Sequence, residues 1–236
     1  MNTEDIFALC YFGLLWFSYN WATDRHTILG RISLTRLMAE HRRRWIMNSL
    51  HRDLKMIDTQ IMAGLQAGTA FFASTTIFAL GGCFALLGQT DRVQAIFNDL
   101  PFAFPGDRTA FELKVGGLAC LLGYAFFKFG WSYRLFNYCS ILIGAIPMTQ
   151  HVERDRPAAE RAAERAVVMN VQAGMHFNAG LRAIFLSIGY LGWFVSAYIF
   201  MATTSFVIFV LLRRQFFSPA RLALAPDPPA GAGPAG

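Results

Sequence analysis

A long apolar stretch runs from Val115 to Pro147 and carries two cations, Lys128 and Arg134, in its interior. A stretch this apolar is typical of a helix that crosses a lipid bilayer. An ionisable side chain at the centre of a bilayer costs roughly 2.5–3.5 kcal/mol by insertion scales, so each cation needs a partner, water or a route to the headgroups. The stretch therefore predicts a membrane protein and a polar cluster within one of its helices.

The composition agrees with a membrane protein and excludes several other classes. Hydrophobic residues make up 55% of the 236 residues and charged residues 15%, whereas soluble domains have about 25% charged residues. The net charge of +6 is clustered between apolar segments, which indicates topology, and we expect no nucleic-acid partner. The cysteines form no CxxC pair and the histidines have no metal-binding spacing, so we expect neither a metal site nor a cofactor.

Hydropathy predicts an all-α fold, an integral membrane four-helix bundle with long cytoplasmic helical extensions. This domain covers residues 1–214, and a disordered Pro/Ala/Gly-rich tail follows at 215–236. A straight helix over 115–147 would be about 50 Å long against about 30 Å of hydrocarbon. Residues 135–147 therefore either lie along the interface after a break near Arg134 or continue the helix into the cytoplasm. The predicted spans are 6–21, 59–88, 111–135 with an apolar continuation to 147, and 181–212.

Basic residues in the connections predict the orientation. Residues 22–60 contain eight Lys or Arg and residues 148–180 contain four, whereas residues 89–110 contain two. We expect a multi-pass protein of a bacterial inner membrane, in which the positive-inside rule places the connections 22–58 and 148–180 in the cytoplasm, N-out/C-out. Arg213 and Arg214, which follow the last predicted span, favour instead a C-terminus in the cytoplasm.

Both cytoplasmic connections contain helical patterns. In the first, apolar residues recur at steps of four and three opposite a basic face, which predicts a helix that lies on the inner leaflet or extends the second span against a partner. In the second, Pro157 is typical of a helix start. The apolar residues of the first pattern are Ile46, Leu50, Leu54, Ile57 and Ile61.

Small residues predict close helix packing. Gly64 and Gly68 form a GxxxG pattern in the second span, and Gly189 and Gly192 lie in the fourth. We favour packing within one bundle over a homo-oligomer interface at these faces.

The orientation brings one acid and several cations to the same depth. We expect Asp58 to pair with Arg134 or Lys128, while the surplus positive charge binds an anion or an anionic lipid headgroup. In the alternative interpretation, Lys128 and Arg182 only extend to the headgroups. The predicted site consists of Asp58, Lys128, Trp131, Arg134, Asn137, Asn178 and Arg182.

The segments FFKFGWSYRLFNY (residues 126–138) and FNAGLR (residues 177–182) resemble the domain-of-unknown-function family numbered 599. The resemblance covers nearly everything before the tail. It implies a multi-pass membrane protein of a kind found in bacteria and plants, and it supplies no catalytic residues.

Our first functional hypothesis is a non-enzymatic accessory or scaffold protein that binds partner helices and anionic lipid. The alternative is a small oligomeric transporter or channel for an anionic solute, with Lys128, Arg134 and Arg182 along its path. An enzyme is not expected, because the sequence offers no nucleophile beside a plausible base.

Overall fold

A computed structural model describes residues 2–25, 31–92 and 108–225, and these residues form helices and turns without a strand. Two short 3₁₀ helices, Ser49–His51 and Leu191–Phe194, lie between longer elements. The α-helices are α1 (Thr3–Arg25), α2 (Leu34–Asn48), α3 (Met56–Gly88), α4 (Arg108–Gly144), α5 (Thr149–Val152), α6 (Arg156–Tyr190), α7 (Ala197–Phe216) and α8 (Pro219–Leu224).

Short polar side chains fix where several helices begin. Ser33, Asp155, Ser196 and Ser218 each accept a hydrogen bond from a backbone N–H in the first turn of α2, α6, α7 and α8. Such a cap satisfies a donor that has no partner inside the helix. Pro157 follows the Asp155 cap at the start of α6, where the sequence pattern places a helix start.

Among the described helices, α4 and α6 make the most extensive contact, and they run antiparallel. Ser132 Oγ donates to the Ala173 carbonyl at 2.8 Å, and further along α4 the Cys139 thiol donates to the Ala166 carbonyl at 3.4 Å. α3 also packs on α4, and its Phe72 ring lies 5.7 Å from the Phe177 ring of α6, while α2 and α7 pack on α6. The close approach of α4 and α6 requires Gly180, since a Cβ there would lie 2.7 Å from the Phe129 ring.

The predicted span 181–212 is wrong, because the chain reverses within it. α6 ends at Tyr190, and α7 begins at Ala197 and returns along α6, where Thr203 Oγ1 donates to the Gly189 carbonyl at 2.7 Å. A Cβ at Gly192 would lie 2.4 Å from Thr203 Oγ1, so this turn needs a glycine. Hydropathy does not detect the reversal, since the residues on both sides are apolar.

Three helices among the described residues are long and apolar enough to cross a membrane: Met56–Gly88, Arg108–Gly144 and Ala197–Leu224. The predicted spans 59–88 and 111–135 lie within the first two. The predicted span 6–21 lies within α1, which is not among the three. α4 continues without a break through Arg134 to Gly144, so most of residues 135–147 extend the helix and do not turn along an interface.

The two ends of the bundle can be named by residues that meet there. At the Trp193 end, Trp193 Nε1 donates to Asp5 and Lys114 Nζ donates to the Trp193 carbonyl, both at 2.8 Å. The Asp58 end contains Asp58 at the start of α3 and the C-terminus of α4. Just after α4, the Ile146 carbonyl accepts a hydrogen bond from Lys55 Nζ.

The prediction that both termini lie on one side is wrong for this bundle. Tyr11 bonds to Ser205 and Tyr198 bonds to Glu4, and both pairs are 194 residues apart, so α1 and α7 run parallel. α1 begins at the Trp193 end, and α7 therefore ends towards the Asp58 end. The reversal before α7 is the cause, because it adds a crossing of the bundle that the predicted span 181–212 did not contain.

Two further predictions about helices need correction. The helix predicted through Ile46 and Ile61 is interrupted at residues 49–55, and its Leu54 and Ile57 are exposed while α2 packs on α6. The tail predicted as disordered from residue 215 contains the end of α7 and α8, where Arg221 Nε donates to the Ile32 carbonyl at 2.9 Å. Residues 226–236 lie outside the described part of the chain.

The predicted packing glycines divide into two pairs. Gly189 lies against α7, where a Cβ would be 3.4 Å from the Thr204 Cα, and Gly192 is buried in the turn beside it. Gly64 and Gly68 are exposed on α3, and a Cβ on either would have nothing within 4 Å. The GxxxG pattern therefore does not join helices among the residues that the structure describes.

The difference between inward and outward glycines gives a first prediction. Gly180→Ala should lower the free energy of unfolding by about 1–3 kcal/mol, because the new methyl group overlaps the Phe129 ring. Gly64→Ala is the matched control and should be neutral or stabilising by up to about 1 kcal/mol, since alanine favours a helix. Unfolding in mixed micelles, followed by circular dichroism, measures both. Equal stability of the two variants would contradict the packing of α4 on α6 described above.

Candidate anion-binding site

The predicted partners of Asp58 are wrong. The carboxylate is fully buried, and its Oδ1 accepts from Arg52 Nη1 at 2.6 Å and from Trp45 Nε1 at 2.7 Å. Arg52 is only six residues before Asp58, in the turn that joins α2 to α3, so the ion pair is local. Burial lowers the pKa of the neighbouring Lys55 ammonium, and the charge of Asp58 opposes this shift. Asp58 therefore stabilises the junction of α2 and α3.

The predicted cations of α4 are stabilised by aromatic rings on the same helix. Lys128 Nζ lies 5.2 Å from the ring centre of Tyr124. The Arg134 guanidinium lies 5.8 Å from the Trp131 ring and 5.5 Å from the Tyr138 ring, and its Nε donates to the Tyr138 hydroxyl at 2.6 Å. Trp131 and Arg134 are exposed, and Asn137 is half-buried on the same helix. These four residues do not converge with Asp58.

Asn178 and Arg182 do come together, in a cavity of about 610 Å³ where α1, α2, α6 and α7 meet. Arg182 is buried, with 8% of its surface exposed. The cavity also contains cations that the sequence did not assign to a site. They are Arg36 and Arg42 of α2 and Arg214 of α7.

The charged side chains among the described wall residues are all cationic, and we call this site the arginine cavity after Arg36, Arg42, Arg182 and Arg214. Four arginines line it, and no aspartate or glutamate is among the described residues of its wall. Burial lowers the pKa of the Arg42 guanidinium, because its charged form has lost water. Arg42 Nη1 donates to Asn170 Oδ1, which is a neutral partner. A negative charge in the cavity would compensate the Arg42 guanidinium, whose hydrogen-bond partner is neutral.

Neutral polar groups lie between the arginines. Thr35 Oγ1 accepts from Gln215 Nε2 at 2.7 Å and from Asn178 Nδ2 at 3.4 Å. A threonine hydroxyl has one hydrogen and two lone pairs, so the Thr35 hydrogen remains to be donated. Thr23 lies on the wall with only 6% of its surface exposed, and its Oγ1 has no hydrogen-bond partner in the described part of the chain. The cavity thus offers hydroxyl donors as well as guanidinium groups.

The remaining wall is apolar. Leu181, Phe185 and Leu211 line the cavity beside the arginines, and the Arg214 guanidinium lies 5.8 Å from the Phe185 ring. A cavity with cations and an apolar wall suits a ligand that has an anionic group and a hydrocarbon part.

Sequence reasoning found two residues of this cavity and missed the arginines of α2 and α7. Arg36 counted only as a topology signal in a connection, and Arg214 counted only as a weak contrary signal. Arg42 belongs to the basic run 41–44, which the sequence predicts to contact headgroups and not to line a site with Asn178 and Arg182. That contrary signal was the available clue, because it places Arg214 at the same end of the bundle as the basic connection.

Comparison with known proteins identifies a family. The model of a family described as protein of unknown function, DUF599, matches residues 7–220. The chain belongs to the DUF599 family. The comparison with curated proteins gave no match, and the comparison with solved structures gave none. Family membership supports a protein of unknown function with apolar helices and assigns no role to the arginine cavity.

The assignment of Asp58 to Arg52 can be tested by double-mutant cycles. Asp58→Asn and Arg52→Gln should show a coupling energy of about 1–2 kcal/mol in the free energy of unfolding, because the two charges are in contact. The matched cycle with Asp58→Asn and Arg134→Gln should show coupling near zero. Stronger coupling to Arg134 than to Arg52 would restore the pairing expected from the sequence.

Proposed function

We propose that this chain is a non-enzymatic accessory or scaffold protein that binds an anionic lipid headgroup in the arginine cavity. The observation that carries the proposal is that four arginines line one cavity while no acidic residue lies among its described wall residues. Guanidinium groups form short, charge-assisted hydrogen bonds to phosphate oxygens, so phosphate is the anionic group that this wall suits best.

The depth of the cavity supports a lipid ligand. If the hydrocarbon begins at the start of α4, the first 20 residues of this helix span its thickness of about 30 Å, and the inner interface is then near residue 128. The exposed Trp131 and Tyr133 that follow are typical of a membrane interface. Gly180 packs against Phe129 at this level, so Asn178 and Arg182 lie at the depth of the headgroups.

The charge distribution supports an orientation in a bacterial inner membrane. The basic connections lie at the Asp58 end, and the positive-inside rule places that end in the cytoplasm. Because α1 and α7 run parallel, the start of α1 would then be outside and the end of α7 inside. Arg213 and Arg214 agree with this orientation.

The exposed face of α3 supports the scaffold part of the proposal. Of the window that could cross a membrane in α3, only 11% is buried within the bundle. Gly64 and Gly68 leave space on the outward face for another helix, with Phe71 and Phe78 exposed on the same helix. We propose that a partner helix packs at this face.

The transport alternative lacks such support. A path for an anion would continue from the cavity to the Trp193 end, but in the described bundle that half is filled by packed aromatic residues. Phe12, Tyr190, Trp193 and Phe200 are all buried there, with ring centres 5.2–5.8 Å apart in several pairs. Lys128 and Arg134, which the transport hypothesis placed on the path, are not among the wall residues of the cavity.

Lipid binding can be tested by native mass spectrometry of the full chain purified in mild detergent. Phosphatidylglycerol should remain bound to the wild type, and Arg182→Gln should weaken its binding about tenfold, since a charge-assisted hydrogen bond is lost. Arg134→Gln is the matched control and should bind as the wild type does, because Arg134 lies on the exposed face of α4. Wild-type protein that retains no anionic lipid, or equal loss in both variants, would count against the proposal.

The proposed orientation can be tested with reporters fused to each terminus. A phosphatase that is active only outside the cytoplasm should be active at the N-terminus and inactive at the C-terminus, because α1 and α7 run parallel. A fluorescent protein that matures only in the cytoplasm should give the reverse result. Reporters that place both termini on one side would exclude this orientation.

A further inference from the structure

Arg42 differs from the next arginine of α2 in the charge of its partner. Arg43 is exposed and pairs with the Glu164 carboxylate at 2.6 Å. Arg42 is half-buried, and its Nη1 donates to the neutral amide oxygen of Asn170. A guanidinium has five N–H donors, and the others of Arg42 have no hydrogen-bond partner in the described part of the chain. The charge of Arg42 therefore lacks the compensation that the charge of Arg43 has.

Asn170 is oriented so that its oxygen faces Arg42. The side chain is fully buried, and its Nδ2 donates to Met62 Sδ at 3.4 Å and to Cys139 Sγ at 3.5 Å. Because both sulfur atoms lie beside the amide nitrogen, the oxygen remains for Arg42. Arg42 is a wall residue of the arginine cavity and Asn170 is not, so Asn170 contacts Arg42 outside the cavity.

Two further contacts hold the Arg42 guanidinium in place. A Cβ on Gly174 would lie 3.3 Å from Arg42 Cζ and 3.5 Å from both Nε and Nη2, so the group lies against the backbone of α6. The centre of the Phe136 ring of α4 lies 5.8 Å from Arg42 Cζ. A guanidinium that is held in one orientation loses little conformational entropy when it binds an oxyanion.

The wall of the cavity changes along α6 in the order of the parts of a phospholipid. Arg42 lies at the level of Gly174. Asn178 lies one turn further on, about 6 Å along the helix, and it contacts Thr35 at 3.4 Å. Phe185 lies about two turns beyond Asn178, in the apolar part of the wall. A cation, neutral polar groups and an apolar surface suit a phosphate, ester groups and an acyl chain respectively.

We propose that the single phosphate group of a phospholipid binds beside Arg42, and that the neutral side chain of Asn170 positions Arg42 without compensating its charge. This inference rests on the proposed function, because it places the parts of the ligand within the same cavity. The ester groups lie beside Asn178 and Arg182, and an acyl chain lies against Phe185. Arg42 selects a lipid with a net negative charge, since the ammonium of a zwitterionic headgroup already compensates its own phosphate.

The test uses Asn170→Asp, which adds a carboxylate beside Arg42 and leaves every wall residue unchanged. Native mass spectrometry of the full chain in mild detergent compares phosphatidylglycerol, which is anionic, with phosphatidylethanolamine, which is zwitterionic. The wild type should bind phosphatidylglycerol about tenfold more tightly, and Asn170→Asp should abolish this preference, because the new carboxylate compensates Arg42. Gln172→Glu is the matched control, since it adds the same charge to α6 at an exposed position outside the wall.

Stability separates this role of Asn170 from a purely structural one. Without lipid, Asn170→Asp should unfold at a temperature at least as high as that of the wild type, because it gains an ion pair with Arg42. Added phosphatidylglycerol should raise the unfolding temperature of the wild type and not that of Asn170→Asp. Should this variant fail to fold, Arg42→Gln gives an independent readout. It should weaken phosphatidylglycerol binding about tenfold, whereas Arg43→Gln should not.

A third probe tests the position of the acyl chain. The deacylated headgroup of phosphatidylglycerol should bind more weakly than the lipid, because it lacks the ester groups and the acyl chains. Equally tight binding would overturn their placement along α6.

Two different results overturn the two inferences. Wild-type preference for phosphatidylglycerol in Asn170→Asp, or wild-type affinity in Arg42→Gln, with weakened binding in Arg182→Gln, would overturn the phosphate position and leave anionic lipid binding in place. A wild type without any preference for phosphatidylglycerol would overturn the proposed function as well.

Discussion

The antiparallel contact between α4 and α6 is the constraint on which the other elements depend. At the closest approach the Phe129 ring fills the space that Gly180 leaves by having no side chain. α3 packs on α4, and α2 and α7 pack on α6, while α1 reaches the bundle mainly through α7. The arginine cavity therefore lies between elements that α6 holds in place, and residues far apart in sequence meet there.

The sequence predicts those helices that coincide with one continuous apolar segment. The spans 59–88 and 111–135 are continuous, mainly apolar segments, and they lie within single helices. The reversal at residues 191–196 lies inside an equally apolar run, so hydropathy joins two antiparallel helices into one span. Ser196 and Gly192 mark the turn, but the same residue types also occur within membrane helices.

The sequence likewise predicts only some of the residues of the candidate site. Asn178 and Arg182 are four residues apart on one helix, so a single sequence predicts that they share a face. Arg36 and Arg42 belong to the other half of the sequence, and no pattern in one chain shows that α2 packs on α6. Asp58 was paired with distant cations because all of them were expected at the same depth in the membrane. Arg52 is only six residues from Asp58 along the chain, and it forms the ion pair instead.

In the proposed membrane orientation, the hydrophobic core is divided between two environments. One cluster, around Phe12 and Tyr190, lies in the half that would be surrounded by lipid, and another, around Ile46 and Phe136, lies towards the Asp58 end. Inside a bilayer, helix association depends on van der Waals packing, since lipid is as apolar as the side chains. In water the hydrophobic effect contributes, and it weakens on cooling and in urea. Cold or chaotropic solution would therefore loosen the water-exposed half first, while a change of acyl-chain length would act on the other half.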